Sequence, residues 1–345
     1  MNHEAQEHGM NMKRAIVTGS SGFIGSFVCH DLLDKGWQVM GIDSMNDYYD
    51  VALKRARLAR LEARNGFSQI EDKIEAPGVL AALFDQQRPE AVIHLAAQAG
   101  VRYSIENPRA YFEANLGGTF ELLEAARAHP PQHMLLASTS SAYGANTQMP
   151  YRETARADHQ MSFYAATKKS CENIAHSYAH IYGLPITMFR FFTVYGPWGR
   201  PDMAPFKFTR AILNGDAIDV YNHGDMQRDF TYVTDLVQAL GLLIDVAPSL
   251  DAPPLENDSL SPVAPFRVLN IGNSETVQLL DFIRAIECTT GKTATQNLMP
   301  MQQGDVPATW ADASLLRALT GYVPQTDIQT GVTAFVDWYR GFYKA

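Results

Sequence analysis

The sequence predicts an α/β fold in which a parallel sheet carries helices on both of its faces. Strand-like and helix-like segments alternate from Arg14 to Phe192, and such alternation calls for parallel strands joined by crossover helices. A glycine-rich turn follows the first strand, and a run of hydroxyl residues follows a later one. The chain after Phe192 is richer in loops, which predicts a second, smaller α/β domain over the carboxyl edge of the sheet, with a cleft between them.

The first strand is predicted from Arg14 to Thr18, and it leads directly into a glycine-rich turn and an amphipathic helix. The turn has the pattern Gly-x-x-Gly-x-x-Gly at Gly19, Gly22 and Gly25. The first glycine would permit a tight turn, the second a close approach to a pyrophosphate, and the third close packing of helix on strand. This context predicts a Rossmann-type doubly wound sheet that binds a dinucleotide.

The second strand, Gln38 to Ile42, ends at Asp43, where an acidic residue would reach the ribose hydroxyls of a dinucleotide. A carboxylate there favours NAD over NADP, because it would repel a 2′-phosphate. The alternative is a glycine-rich turn that binds nothing. The strand, the helix and Asp43 together disfavour that alternative.

A helix rich in cations follows the second strand. Its basic residues are Lys54, Arg55, Arg57, Arg60 and Arg64. It could bind an anion or lie as a solvated surface helix, and the second interpretation is favoured because charge runs usually face solvent.

The next predicted strand, Ala91 to Leu95, runs into small residues that suit close passage over a flat cofactor. His94 inside it is interpreted as a packed core histidine. A long helix is predicted from Arg109 to Ala128. Gly117 and Gly118 inside it should serve packing, because each costs about 1 kcal/mol relative to alanine.

Met134 to Ser138 is a further strand, and Thr139 to Ser141 lie at its carboxyl end, where doubly wound sheets place their chemistry. A long helix follows, with Ser162 as its predicted N-cap and Gly183 near its end. Tyr164 and Lys168 lie one turn apart on it and share a face.

An ammonium held near a phenol favours the phenolate, so we expect the pKa of Tyr164 to fall below its ordinary value of about 10. That shift would make Tyr164 a proton acceptor near neutral pH. A surface pairing of tyrosine and lysine is the alternative interpretation.

The domain organisation is predicted from these patterns. Residues 1–12 form a disordered extension, residues 13–190 the dinucleotide-binding domain, and residues 191–229 and 273–345 the second, substrate-binding domain. Residues 230–247 and 267–272 are expected to return to the first domain. Residues 248–266, rich in Pro, Ser and Asp, are interpreted as a flexible surface loop.

Composition excludes several classes of function. The 345 residues carry a net charge of −9 and no block of Lys and Arg, which argues against nucleic-acid or membrane partners. No apolar run approaches the roughly 18 residues of a membrane span. Cys29, Cys171 and Cys288 are scattered and lack metal-ligand spacing. They predict reduced thiols, no metal and a cytoplasmic location.

Four further motifs make the chain resemble the extended short-chain dehydrogenase/reductases from about Lys13 onward, and among them the bacterial UDP-glucuronate 4-epimerases. These motifs are Asp43 to Asp50, Ala99 to Ser104, Phe192 to Met203, and Gly304 to Pro307. The resemblance implies a homodimer formed in part by the Tyr164 helix.

The resemblance also implies roles for individual residues. Tyr164 would be the base, Lys168 its partner and a ligand of the nicotinamide ribose, and Thr139 a hydrogen-bond partner of the sugar O4. The implied NAD-binding residues are Gly19, Ser21, Gly22, Phe23, Ile24, Gly25, Asp43, Asp72, Leu95, Ala96, Ala97, Tyr164 and Lys168. The implied substrate-binding residues are Arg102, Ser140, Ser141, Thr193, Arg200, Lys207, Arg228 and Asp305.

Arg228 is implied to grip the UDP phosphates and Asp305 to lie near the uridine. Arg200 is the first candidate to clamp a substrate carboxylate, and Arg102 the second; alternatively, Arg200 only braces its loop, with Asp202 as a partner. Two positions depart from the pattern of relatives. Asp72 stands one place from the expected adenine contact, and Gln303 replaces an arginine of UDP-galactose epimerases.

The implied activity is the reversible C4 epimerisation of UDP-glucuronate to UDP-galacturonate through a 4-keto intermediate, with tightly bound NAD recycled. Ser140 and Ser141 stand where related dehydratases and decarboxylases carry an acid, which favours epimerisation without elimination. The alternatives are a UDP-galactose or UDP-N-acetylhexosamine 4-epimerase, a UDP-glucuronate decarboxylase, and a non-catalytic NAD-binding sensor. The sensor is disfavoured because Tyr164, Lys168 and Thr139 are all present.

Overall fold

The computed structural model describes residues 12–251, 253, 255–302 and 305–345. Residues 1–11 of the predicted extension, and also Gln303 and Gly304, lie outside the described residues. No described helix is long and apolar enough to cross a membrane. Within the same ranges, no cluster of three or more His, Cys, Asp or Glu side chains could hold a metal ion.

The strands are β1 (Arg14–Thr18), β2 (Gln38–Asp43), β3 (Phe67–Glu71), β4 (Ala91–His94), β5 (His133–Ala137), β6 (Ile186–Phe191), β7 (Thr193–Tyr195), β8 (Ala217–Val220), β9 (Gln227–Arg228), β10 (Phe230–Tyr232), β11 (Phe266–Ile271), β12 (Val277–Gln278), β13 (Thr295–Leu298) and β14 (Ala308–Thr309). The α-helices are α1 (Phe23–Asp34), α2 (Val51–Glu62), α3 (Val79–Gln87), α4 (Tyr103–Glu106), α5 (Pro108–Tyr111), α6 (Gly118–Ala128), α7 (Phe163–Tyr182), α8 (Ala204–Asn214), α9 (Val233–Leu243), α10 (Leu279–Thr290), α11 (Ser314–Thr320) and α12 (Ile328–Tyr343).

A seven-stranded parallel sheet forms the centre of the molecule, in the order β11-β6-β5-β4-β1-β2-β3. The central strands β1, β4 and β5 are buried on both faces, which explains their mostly apolar sequences, whereas the edge strand β3 is partly exposed and more polar. In β1, Val17 packs into an apolar cluster with α1 and α9, whereas Ile16 packs into a second cluster with α3, α6 and α7. The predicted doubly wound α/β fold is confirmed.

The helix that carries Tyr164 begins and ends as predicted. The Ser162 hydroxyl accepts a hydrogen bond from the Ala165 amide at 3.1 Å, and Gly183 ends α7 with φ +67°. The N-cap satisfies one amide that the first turn leaves open, and the left-handed glycine stops the helix.

The long helix predicted over residues 109–128 is interrupted. A π-helical turn, Phe112–Gly117, separates α5 from α6. The Asn115 side chain in this turn accepts from the Gln98 amide at 2.8 Å and donates to the Gln98 carbonyl at 3.1 Å. Gly118 has the expected packing reason, because a Cβ there would lie 2.4 Å from Ile74 Cδ1. Tertiary contacts therefore override the regular helical spacing.

The basic helix α2 is not the solvated surface helix that its composition favours. Lys54 and Arg57 are buried, and their nitrogens donate hydrogen bonds to the carbonyl oxygens of Asn46 and Ser21. Arg55 and Arg64 lie at the surface, where they pair with Glu71 and Asp34. The predicted solvated helix is therefore wrong for two of the five basic residues, Lys54 and Arg57.

The second part of the chain packs α8, α10 and α12 into an apolar cluster beside three small sheets. Val277 and Gln278 pair with β9, and α10 begins directly after them at Leu279. Described residues between 248 and 265 contain no helix or strand. However, Asp258 and Arg267 form a buried ion pair at 2.9 Å, which anchors the later half of the predicted flexible loop to β11.

Candidate functional site

Two adjoining cavities, of about 410 and 880 Å³, lie at the carboxyl ends of the sheet strands. The smaller is bordered by the residues that follow β1, β2 and β4, and the larger extends between the sheet and the second part of the chain. Tyr48, Tyr164 and Arg200 border both cavities. Such a double cleft at the strand ends can hold two ligands in contact.

The glycine-rich turn borders the smaller cavity. Gly19 has φ +71°, and a Cβ on it would lie 2.8 Å from the Ala96 amide nitrogen. A Cβ on Gly25 would lie 2.0 Å from the Gly19 carbonyl oxygen, so helix and strand pack as closely as predicted. Gly22 precedes α1 without a side-chain cap, which leaves the first helical amides for an anion. These residues fit the pyrophosphate of a dinucleotide.

Asp43 lies at the end of β2 beside the same turn. Its carboxylate accepts from the Ser21 amide at 3.1 Å and from the Met45 amide at 2.9 Å, which fixes its orientation. Asp72 also borders the smaller cavity. All the predicted NAD-binding residues border this cavity except Ser21, whose side chain is fully buried and donates to Gln69. The Ser21 side chain therefore lies away from this cavity, and a role of Ser21 in NAD binding stays a prediction.

Thr139, Tyr164 and Lys168 meet where the two cavities join. Lys168 is buried and donates from Nζ to the carbonyl of Ala137, the last residue of β5, at 2.9 Å, and Thr139 is the second residue after that strand. The phenol ring of Tyr164 packs edge-on against Tyr111, with 5.9 Å between ring centroids. The Thr139 hydroxyl thus borders the larger cavity, the Lys168 ammonium the smaller, and the Tyr164 phenol both.

The predicted fall in the pKa of Tyr164 is wrong for the protein alone. Burial raises the pKa of Tyr164, and the Thr139 hydroxyl and the Arg200 charge only partly oppose this rise. Burial also lowers the pKa of Lys168, whose ammonium is directed at a carbonyl oxygen. Helical spacing put the two side chains on one face, but burial in the assembled site decides their pKa values.

A buried ion pair that the sequence did not indicate supports these groups. Arg190 on β6 binds Glu172 on α7 through two hydrogen bonds of 2.8 and 2.7 Å. Glu172 also accepts from the Ser138 hydroxyl at 2.6 Å. Burial would raise the pKa of Glu172, but the bonds and charge of Arg190 outweigh it and hold the pKa at about 2. The pair joins α7 to the strand end that carries Thr139.

Arg200 reaches the junction of the cavities as half of an ion pair. Its Nε and Nη2 donate to the two oxygens of Asp202 at 3.0 and 2.6 Å. The Tyr48 hydroxyl also donates to Asp202, at 3.3 Å. Among the described residues Arg200 Nη1 has no hydrogen-bond partner. Bracing by Asp202 therefore occurs, and one nitrogen is left to bind a ligand.

Arg228 lies at the far side of the larger cavity. Its guanidinium donates to Asp305 at 2.9 Å and to the carbonyls of Gln227, Val306 and Pro307. Burial lowers its pKa. All eight predicted substrate-binding residues border this larger cavity, together with Arg210, a cation that the motifs did not indicate.

A search of family models matches residues 15–253 to the NAD dependent epimerase/dehydratase family. The chain belongs to this family. It is 52% identical over 334 residues to a probable UDP-glucuronate 4-epimerase of Rhizobium meliloti (strain 1021), covering 96% of this chain and 98% of that protein. It is 46% identical to UDP-glucuronate 4-epimerase 2 of Arabidopsis thaliana, covering 95% of this chain and 76% of that one.

Among solved structures, this family member is similar to UDP-glucuronic acid 4-epimerase from Bacillus cereus in complex with UDP-glucuronic acid and NAD. The TM-score is 0.85 at 32% identity, over 96% of this chain and 100% of that one. The same enzyme with tyrosine replaced by phenylalanine, in complex with UDP-4-deoxy-4-fluoro-glucuronic acid and NAD, has a TM-score of 0.86. The resemblance to NAD-dependent nucleotide-sugar epimerases is confirmed.

Sequence reasoning missed several residues of this epimerase-family site. Asn115, Glu172 and Arg190 are buried beside it, and Tyr48 borders both cavities. Each of the four bonds a residue from another part of the chain. Tyr48 lies inside the Asp43 to Asp50 motif, so the sequence marked its position but did not indicate what its side chain does. No sequence pattern marked Arg190, because a single arginine in an apolar strand does not reveal its partner.

Proposed function

We propose that this chain is a UDP-glucuronate 4-epimerase that interconverts UDP-glucuronate and UDP-galacturonate through a 4-keto sugar, with NAD bound throughout. The observation that carries the proposal is the meeting of Thr139, Tyr164 and Lys168 at the junction of two ligand cavities. The relatives named above, at 46 and 52% identity, carry the same activity in their names.

The smaller cavity is assigned to NAD and the larger to the UDP-sugar. Gly19, Gly22 and the first amides of α1 would hold the pyrophosphate, and Asp43 the adenosine ribose. Bound NAD supplies a reversible hydride acceptor at C4 of the sugar. Arg228 and Lys207 border the larger cavity and would bind the diphosphate by charge-assisted hydrogen bonds.

Tyr164 is assigned the proton transfer at the sugar O4. Its pKa is raised by burial, and the charge of Arg200 opposes this rise. The phenolate needs positive charge nearby, and Lys168, one turn along α7, would add to it. Thr139, which opposes the rise in the pKa of Tyr164, would hydrogen-bond the same oxygen. Inversion then requires the 4-keto sugar to turn over within the larger cavity while the UDP stays bound.

Arg200 is assigned to the substrate carboxylate. The 4-keto uronate is a β-keto acid, and it loses CO₂ when its C5–carboxylate bond aligns with the ketone π-system. A guanidinium already held by Asp202, which in turn accepts from the Tyr48 hydroxyl, would clamp the carboxylate away from that alignment. Ser140 and Ser141 offer hydroxyls and no carboxylate to assist elimination.

The test is NMR of the products formed from UDP-glucuronate by the purified protein without added cofactor. UDP-galacturonate should accumulate to a near-equal amount, and a Tyr164→Phe control should form almost none. UDP-pentose as the main product, or no turnover of the uronate, would overturn the proposal. UDP-galactose and UDP-N-acetylglucosamine in parallel reactions test the alternative 4-epimerases.

A homodimer through α6 and α7 belongs to the same proposal. Phe112 and Phe120 lie exposed in or beside α6, and Ile181 and Tyr182 lie exposed at the end of α7. Two helices that pack together and expose aromatic side chains suit contact with a second copy. Light scattering after gel filtration should give the mass of two chains, and a monomeric mass would contradict this.

The division into domains is also a proposal, with residues 230–247 and 267–272 assigned to the dinucleotide-binding domain. It is supported by β11 in the main sheet and by the packing of α9 on α1. A cytoplasmic location stays a prediction. It is supported by three unpaired cysteines, as expected in a reducing compartment.

A further inference from the structure

Arg57 on α2 is a fully buried cation that the epimerase mechanism does not use. No described carboxylate lies within salt-bridge distance of it, whereas Arg55 on the same helix and Arg64, two residues past its end, each have one. Burying an unpaired charge is costly unless hydrogen bonds compensate it. The partners of Arg57 therefore indicate why the charge is kept.

The guanidinium of Arg57 bonds two distant parts of the chain. Nη1 donates to the Tyr49 hydroxyl at 2.8 Å and to the Ser21 carbonyl, in the glycine-rich turn, at 3.3 Å. Nη2 donates to the Trp198 carbonyl at 2.5 Å and to the Gly199 carbonyl at 3.3 Å. One side chain thus ties the proposed cofactor turn to the residues directly before Arg200.

The turn before Arg200 needs such support. Trp198 has φ +62°, a left-handed conformation that is strained for a bulky side chain. Its ring is held by the Arg60 guanidinium, 4.6 Å from the ring centroid, and by Trp338, 5.4 Å between centroids. After the turn, the Tyr48 hydroxyl binds Asp202, the partner of Arg200. Helix α2 and the connection that precedes it therefore contact this turn on both sides of Arg200.

We propose that Arg57 is a positioning residue that sets the place of Arg200 relative to the cofactor turn and thereby determines how the substrate carboxylate is held. The inference rests on the proposed function, in which Arg200 binds that carboxylate. It assigns a role to the tyrosines of the Asp43 to Asp50 motif, since Tyr48 and Tyr49 are the accessory contacts of the same brace. A displacement of about 1 Å at a reacting group can cost 100-fold in rate.

Arginine is required here because its planar fork bonds several acceptors at once, which an ammonium on a flexible stem does not reproduce. Arg57→Lys keeps the charge but removes the simultaneous contact with Ser21 and the two carbonyls of the turn. Arg55→Lys is the matched control, because Arg55 lies two residues away on α2 and pairs with Glu71 at the surface. Tyr48→Phe removes only the hydroxyl contact with Asp202 and keeps the ring.

The experiment compares these variants with the wild-type enzyme on UDP-glucuronate. We expect Arg57→Lys to lower kcat/KM by about 10- to 100-fold and to raise the share of UDP-pentose among the products several-fold. The affinity for UDP and the amount of NAD that copurifies should stay within two-fold of wild type. Arg55→Lys should match wild type in every readout, and Tyr48→Phe should raise the pentose share in the same direction.

Wild-type kcat/KM and product ratio in Arg57→Lys would overturn the inference while leaving the proposed function intact. A loss of NAD and UDP affinity in proportion to kcat would show a structural role only, and would also overturn it. If Arg57→Lys does not fold, Tyr48→Phe decides, and an unchanged pentose share in it refutes the brace. Failure of the wild-type enzyme to epimerise the uronate would instead refute the proposed function.

Discussion

The buried pair of Glu172 and Arg190 allows a quantitative prediction. Both side chains are only 2% exposed, and two hydrogen bonds join them. Removing one partner of such a pair costs about 3–5 kcal/mol, because a charge is left buried without compensation. Replacing both partners by apolar side chains of similar size costs far less.

The structure separates the two single changes. After Arg190→Met, Glu172 keeps bonds from Ser138 at 2.6 Å and Lys169 at 2.9 Å, so we expect the lower end, about 3 kcal/mol. After Glu172→Met, the contact that Arg190 keeps among the described residues is the face of the Tyr143 ring, 4.4 Å away, and its Nη1 already lacks a partner among them. We expect the upper end there, about 5 kcal/mol.

Urea unfolding of the wild type, the two single variants and the double variant measures these free energies. The two single variants together should lose more free energy of unfolding than the double variant loses. A double-mutant cycle reports this difference as the coupling energy of the pair. Strictly additive losses, or less than about 1 kcal/mol for Arg190→Met, would refute the reasoning.

The same pair predicts a pH dependence with a definite sign. The folded-state pKa of Glu172 is held at about 2, below its ordinary value of 4.5. A depressed carboxyl pKa stabilises the fold above the unfolded value and loses this effect as the pH falls. The stability gap between wild type and Glu172→Met should therefore shrink between pH 4.5 and 2. A gap that widens in this window would contradict the assignment.

Three further predictions concern the site. Tyr164→Phe should lower kcat about 10²- to 10⁴-fold with NAD still bound, measured by product NMR, and near-normal turnover would remove Tyr164 as the base. Arg200→Ala should lower kcat/KM for the uronate by more than it weakens UDP binding in calorimetry; equal losses would leave Arg200 a loop brace only. Gly25→Ala should prevent stable folding or NAD retention, because its Cβ would lie 2.0 Å from the Gly19 carbonyl oxygen. A normal melting temperature of this variant would contradict the close packing of helix on strand.

The main sheet and the cofactor turn were predictable because their signals are local. Strand β1, the Gly19 to Gly25 turn and the cap at Ser162 depend on residues within a few positions of each other. Twelve of the thirteen predicted NAD-binding residues border the smaller cavity for the same reason. Ser21 is the exception, since its orientation depends on Gln69, far along the chain.

The prediction of one continuous helix over residues 109–128 was wrong because of contacts with distant residues. Its apolar spacing is regular, but Asn115 has backbone partners at Gln98 and a further bond to Thr167 on α7. Satisfying these buried groups shifts the local hydrogen bonding into a π turn. Helix propensity is a weak preference, and buried polar contacts override it.

Local pattern thus determined strands β1, β2, β4 and β5, the ends of α7 and the types of residue at the site. The pKa of Tyr164, the burial of Arg57, the bracing of Arg200 and the pairing of Glu172 with Arg190 emerged only in the folded chain. Hydrogen-bond partners can be brought together from distant parts of the chain, and a pKa responds to all groups packed around it. The spacing of residues along one segment does not show which distant residues will contact a side chain. It also does not show how far that side chain will be shielded from solvent.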